Sequence, residues 1–179
     1  MLCGTNMTDV KISNRSAILR LLHEAGEMSR KQIAARLKLT PATITVIINE
    51  LINESILVER NSVPNAGAVG RREVMVEISR EKYVALGLAL SQGLVKFTVV
   101  NLHGEIIHEE TFKLPEILTP EYFAETIGRQ IQLKIASYGY SENFIIGMGI
   151  TVCGVVDFAN GIILDSDGIW EEKNVPIVK

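Results

Sequence analysis

SRKQIAARLKLTPATITVIINELIN, residues 29–53, spells two short helices separated by a turn. Ser29 is placed to cap the first, and Gln32, three residues on, can reach back to the cap's own N–H to complete a capping box. Ile33, Ala34 and Leu37 then share one face. Lys38 and Leu39 make the turn, Thr40 is a second cap, and Pro41 takes the first helical position, where its missing N–H costs nothing. In the second helix Ile44, Ile47, Ile48, Leu51 and Ile52 follow the i, i+3, i+4, i+7, i+8 spacing of a single buried stripe. Thr43, Thr45, Val46, Asn49 and Glu50 lie on the other face. This is the pattern of a helix-turn-helix, whose second helix can enter a DNA major groove. A helical hairpin inside a larger bundle would share the pattern, so the flanks must separate the two readings.

Upstream, residues 1–12 are expected to form a loose arm, with Met7 an alternative start. Ser13 or Asn14 would cap a first helix in which Ala17, Ile18, Leu21, Leu22 and Ala25 make the apolar stripe and Gly26 the left-handed stop. His23 falls on its solvent side. Downstream, residues 57–60 read as a short strand. Residues 73–78 alternate Val74, Val76 and Ile78 with Glu73, Met75 and Glu77, the period of a half-buried strand. Between them NSVPNAGAVGRR, residues 61–72, is a turn-rich tip ending in Arg71 and Arg72. Three helices and a hairpin make a winged helix, and two guanidinium groups on a flexible tip suit phosphate or a narrow minor groove.

Composition agrees with a composite chain. The 179 residues carry a formal charge of −3, which argues weakly against a nucleic-acid binder. That mean hides a split: residues 1–82 hold 12 Lys and Arg against 9 Asp and Glu, whereas residues 83–179 hold 6 against 12. A basic module joined to an acidic one fits. The two cysteines, Cys3 and Cys153, are too few for a disulfide framework. The start lacks the pattern of a signal peptide, and the apolar run 144–156 is too short to span a bilayer. A cytoplasmic protein with reduced thiols and no membrane partner is expected.

The residues resemble those of the ROK family of repressors and sugar kinases, in particular its xylose and N-acetylglucosamine repressors. The family hallmark is a helix-turn-helix of the form LSR…LA…LS.ATVS.IVNEL, followed by a wing with a Gly-Arg pair. The matching text here is Met28-Ser29-Arg30, Ile33-Ala34, Leu39-Thr40, Ala42-Thr43-Ile44-Thr45, Ile48-Asn49-Glu50-Leu51 and Gly70-Arg71-Arg72. The resemblance implies groove-facing roles for Thr40, Thr43, Thr45 and Asn49, with Arg71 and Arg72 at the wing. Ser29, Arg30 and Pro41 complete the candidate DNA contacts. The helix departs from many relatives by carrying Pro41 and Val46 where they often show basic residues.

In the second half, residues 83–90, 94–102 and 105–112 read as strands, the last two joined by His103-Gly104. Thr119 and Pro120 introduce a helix whose apolar face is Phe123, Ile127, Ile131 and Ile135. A buried strand, 145–152, follows. Three antiparallel strands, a helix and a further strand open an actin-like, ribonuclease-H-like ATPase fold. The resemblance continues through Gly147-Met148-Gly149-Ile150, Gly154-Val155-Val156-Asp157 and Asn160-Gly161-Ile162-Ile163-Leu164 to Trp170 and Pro176. The expected fold is therefore α+β in two domains. Residues 1–80 form the winged helix-turn-helix (core 14–80), and residues 81–179 the first lobe of the ROK domain, truncated.

Active members of the family end the first strand of this lobe in an Asp-x-Gly phosphate loop. Ala89 and Ser91 stand at those positions here. By the same resemblance, the catalytic Asn-Asp pair, the Glu and His sugar ligands and the zinc cluster all fall beyond residue 179. No enzyme activity, cofactor or metal is expected. Asp157, Asp165 and Asp167 lack the spacing of a calcium loop and are read as surface carboxylates. Gly154, Val155 and Asp157 resemble the floor of the sugar cleft, a weak candidate effector site, and Cys153 is read as a small buried hydrophobe. The functional expectation is a repressor-type regulator of carbohydrate uptake or metabolism. It would bind a double-stranded DNA operator as a homo-oligomer, with a sugar or sugar phosphate as effector. The rivals are a sugar-binding or sugar kinase-like protein with a spectator N-terminal domain, and a protein-docking adaptor.

Overall fold

The computed structural model describes residues 6–61, 73–116 and 118–177. The chain divides into two units, Met1–Lys82 and Tyr83–Lys179. In the first, helix α1 (Met7–Ala25) begins at an Asn6 cap, whose Oδ1 accepts from the Thr8 N–H at 3.5 Å. The helix therefore starts before the expected Ser13 or Asn14 cap, and the expected loose arm is helical from Met7. The extra turns are tied down from outside. Lys11 Nζ donates to Glu50 Oε1 at 2.7 Å, and Arg15 Nη1 donates to Glu54 Oε1 at 3.0 Å. Ile18 and Leu22 are its buried positions, Ala25 is exposed, and Gly26 ends it at φ 77°.

A two-residue strand follows, β1 (Met28–Ser29), and then α2 (Arg30–Leu37). The capping box is present: Gln32 N–H donates to Ser29 Oγ at 3.3 Å, and Ser29 N–H donates to Gln32 Oε1 at 2.8 Å. Lys38 makes the turn in the left-handed region, φ 54° and ψ 37°. Helix α3 (Pro41–Asn53) starts where Thr40 Oγ1 accepts from Thr43 N–H at 3.2 Å. Its stripe is buried, Ile44, Ile48 and Leu51 completely and Ile47 to 3% exposure. Strands β2 (Leu57–Asn61) and β3 (Val74–Ile78) pair antiparallel from Leu57 opposite Ile78 to Asn61 opposite Val74. Strand β1 adds to the far side of β3, giving the order β1-β3-β2. Ile18, Leu22, Ile33, Ile44, Ile48, Leu51, Leu57 and Val76 are at most 1% exposed. At about 1.5–3 kcal/mol per buried aliphatic side chain, this cluster is what holds α3 in place.

The second unit opens with an antiparallel meander, β4 (Val84–Ser91), β5 (Leu94–Asn101) and β6 (Ile106–Lys113). Strand β7 (Ile145–Val152) returns parallel to β4, so the sheet order is β6-β5-β4-β7. The crossover is helical: α4 (Pro120–Tyr122), a π-helical turn over Phe123–Ile127, and α5 (Gly128–Ser137). Thr119 caps it as expected, and Phe123, Ile127, Ile131 and Ile135 pack against Leu86, Leu88, Val95, Phe97 and Val99 in one core. A second sheet, unannounced in the sequence, is built from β8 (Gly154–Asp157), β9 (Ile162–Ser166) and β10 (Val175–Pro176) in the order β10-β9-β8.

Two expectations are corrected. Strand β7 is not buried: Ile146, Met148 and Ile150 are 62%, 45% and 36% exposed, because among the described residues it is an edge strand with β4 as its neighbour. Cys153 is exposed, not packed, since it sits at the corner between β7 and β8. Among the described residues no helix is long and apolar enough to cross a membrane.

The strap between α1 and α3 carries a pH dependence. The Lys11 ammonium, by its hydrogen bond, holds the Glu50 carboxyl below the ordinary value of 4.5, aided by the charge of Arg15. A depressed folded-state value stabilises the fold above the unfolded value, and that contribution is lost as pH falls through the folded one. Glu50→Gln removes the titrating group. Between about pH 5 and 3 the melting temperature of wild type is therefore expected to fall more steeply than that of Glu50→Gln. Parallel slopes would show that the strap does not couple to folding.

Candidate nucleic-acid interface

The face of α3 opposite its isoleucine stripe is the starting point. Thr40, Pro41, Thr45 and Asn49 are exposed on it and Thr43 is half-buried. Ala42 and Val46 are exposed as well, Val46 to 57%. These two, with Met7 and Val10 of α1, line an apolar groove of about 500 Å³ beside the polar row. Glu50, although on the same side, is committed to α1 through Lys11 and Arg15.

The hydroxyls on this face are pre-arranged by the helix itself. Thr40 and Thr43 share a 2.9 Å bond between their hydroxyl oxygens, and Thr45 Oγ1 donates to the Pro41 carbonyl at 2.8 Å. Each oxygen retains accepting capacity. Together they make a short row of fixed hydroxyls at the helix N-terminus, the part of a recognition helix that meets base edges.

Two of the sequence-derived candidates have other duties. Ser29 is 2% exposed and its hydroxyl is the α2 cap, so its side chain reaches nothing outside the unit. Arg30 pairs with Glu59 on β2 through Nη1 and donates to Asn49 Oδ1 through Nη2 at 2.7 Å. Its Nε is buried without a partner, although the side chain as a whole keeps 26% of its surface exposed. Reasoning from the sequence did not anticipate this Glu59–Arg30–Asn49 chain; it joins three elements far apart in sequence, and no local pattern announces it. Arg71 and Arg72, expected at the wing, lie outside the described residues.

The weaker candidates, on β8 in the second unit, do not converge. Gly154 sits at φ 149°, and a Cβ there would meet the Asp165 carbonyl oxygen at 2.0 Å, so the position calls for glycine. Val155 is 58% exposed. The Asp157 carboxylate closes its own turn, accepting from the N–H groups of Ala159 and Asn160 at 3.2 Å and from Asn160 Nδ2 at 2.7 Å. Those bonds, the Asn160 side chain first, hold its carboxyl below the ordinary aspartate value. Asp165 pairs with Lys173 at 2.8 Å. Where the resemblance calls for a phosphate-loop carboxylate, β4 presents Ala89, and Ser91 Oγ donates to the Leu94 carbonyl at 3.3 Å.

Comparison with known proteins agrees with this geometry. Residues 13–58 match the winged helix-turn-helix DNA-binding family. The chain is 29% identical over 158 residues to the DNA-binding transcriptional dual regulator NagC of Escherichia coli, covering 88% of this chain and 38% of NagC. It is 26% identical to the transcriptional repressor Mlc of the same organism, over 96% of this chain and 42% of Mlc. The xylose repressor of Bacillus subtilis is 24% identical over 96% of this chain and 47% of that repressor. The crystal structure of a ROK family transcriptional regulator, a homologue of Mlc, superposes with a TM-score of 0.68 at 24% identity over 94% of this chain and 42% of that one. The chain is thus similar to transcriptional regulators and repressors, and its fold is that of a ROK family transcriptional regulator: a winged helix followed by the opening of the domain that this regulator carries. It spans less than half the length of each of these relatives.

Proposed function

We propose that this chain is the DNA-reading portion of a sequence-specific, repressor-type transcriptional regulator of carbohydrate uptake or metabolism, acting in the cytoplasm. One observation carries the reading: α3 is fixed from behind by a fully buried apolar stripe while its polar face stays uncovered within its unit. In this reading Thr40, Pro41, Thr43, Thr45 and Asn49 meet the major groove. Arg71 and Arg72 hold the adjacent backbone or minor groove. A homo-oligomer places two such helices on a pseudo-palindromic operator. The relatives named for N-acetylglucosamine and xylose support a sugar or sugar phosphate as effector. Such a ligand would meet β8 through Val155 and backbone, since the Asp157 carboxylate is consumed by its turn. The reading includes no phosphoryl transfer, with Ala89 in place of a carboxylate at the end of β4.

Gel-shift titration over a salt series tests it. Affinity for duplex DNA is expected to fall steeply as salt rises, as counterions are released from contacted phosphates. The Thr45→Ala, Asn49→Ala double variant is expected to lose about tenfold or more in specific binding while keeping the salt slope, because it removes base contacts and not phosphate contacts. Binding indifferent to salt would favour a protein-docking role for the same face.

A further inference from the structure

From the contact between Arg30 and Asn49 we infer that Arg30 is a positioning residue that sets which base Asn49 reads. The inference rests on the DNA-binding reading above. An asparagine on a recognition helix ordinarily pairs with adenine through both ends of its amide, the oxygen accepting from N6 and the nitrogen donating to N7. In this protein that oxygen is shared: Asn49 Oδ1 accepts from Arg30 Nη2 at 2.7 Å, which leaves one of its two lone pairs. A guanidinium offers donors and no acceptor, so the orientation is fixed by chemistry, with oxygen toward Arg30 and nitrogen away from it. Arg30 cannot easily let go. Glu59 on β2 holds its other nitrogen, and its backbone opens α2 directly behind the buried cap Ser29.

The amide of Asn49 therefore leads with its NH₂ group. Adenine offers that NH₂ group one acceptor, N7, beside its own N6 donor, which only the remaining lone pair of the Asn49 oxygen could meet. Guanine presents N7 and O6, both acceptors. The position read by Asn49 favours guanine over adenine, on the order of tenfold for a well-made pair. Arg30 acts here without touching DNA; its charge is balanced by Glu59.

Selection of the intact chain against a pool of randomised DNA duplexes tests this, with Asn49→Ala marking the position that depends on Asn49. Wild type is expected to enrich guanine over adenine there. Arg30→Met, which keeps the stem and removes every donor, is expected to shift that one position toward adenine; Arg30→Lys keeps a donor and is expected to retain guanine. Adenine selected by wild type overturns the inference and leaves the DNA-binding reading standing. So does a uniform loss of affinity in Arg30→Met with the base preference unchanged, which a merely structural arginine would give, or an Asn49→Ala variant that alters no position. If wild type enriches no duplex at all, both fall together.

Discussion

Gly154→Ala is expected to destabilise the second unit by about 3 kcal/mol or more, placing it among the most damaging single substitutions available in this chain. A Cβ at this position would lie 2.0 Å from the Asp165 carbonyl oxygen and 3.0 Å from two further backbone atoms of Asp165 and Ser166. None of these is the far end of a flexible side chain, and they belong to the strand with which Gly154 is paired. The backbone conformation adds to the cost, since φ 149° is one that side-chain-bearing residues rarely adopt. The chain must open the β8–β9 pairing or rotate the residue, and either loses ladder bonds. The protein's single tryptophan gives the readout. Trp170 is buried against Phe123 at a ring-centroid distance of 5.9 Å in the core of this unit, so urea unfolding followed by its emission reports directly. Gly149→Ala is the control, with nothing within 4 Å of an added Cβ; its midpoint is expected to stay close to wild type.

Leu51→Ala is expected to cost the first unit about 3–5 kcal/mol, a large fraction of what a small domain has to lose. Leu51 is fully buried near the end of the α3 stripe, on the same helix face as the fully buried Ile44 and Ile48. Its removal leaves a void under the helix that presents the polar face, so stability and DNA binding are expected to fall together. Circular dichroism at 222 nm through a urea titration measures the first and gel shift the second. Val46→Ala, on the exposed side of the same helix, is expected to change stability by less than about 0.5 kcal/mol. Equal losses from the two substitutions would mean that α3 is not anchored as described.

What could be read in the sequence was whatever is encoded locally. Ser29 with Gln32, Thr40 with Pro41, and the isoleucine spacing of α3 each announce themselves within a few residues, and each is found. The alternation of β4 and β5 and the face of the crossover helix are local in the same sense. The misses are all non-local. The first turns of α1 carry no apolar period, and part of what fixes them is the bond of Lys11 to a glutamate 39 positions away. Strand β1 has two residues, too few for a period, and exists only because β3 is there to pair with it. An apolar run such as 145–152 reads as interior whatever lies beside it, so its exposure was invisible until its neighbours were known. The Arg30–Asn49 contact belongs to this group too: the sequence supplied both residues as candidates for DNA, and only the fold shows one restraining the other.

The two margins of the larger sheet are defended unequally. On β6, His108, Glu109, Glu110 and Lys113 place ionisable groups along the rim, the ordinary deterrent to accidental pairing between molecules. Strand β7 has no charge from Ile145 to Val152, two glycines that offer little steric obstruction, and uncovered aliphatic side chains. Among the described residues, a rim of that composition is of the kind that admits strand addition, so this polypeptide is expected to self-associate more readily as its concentration rises.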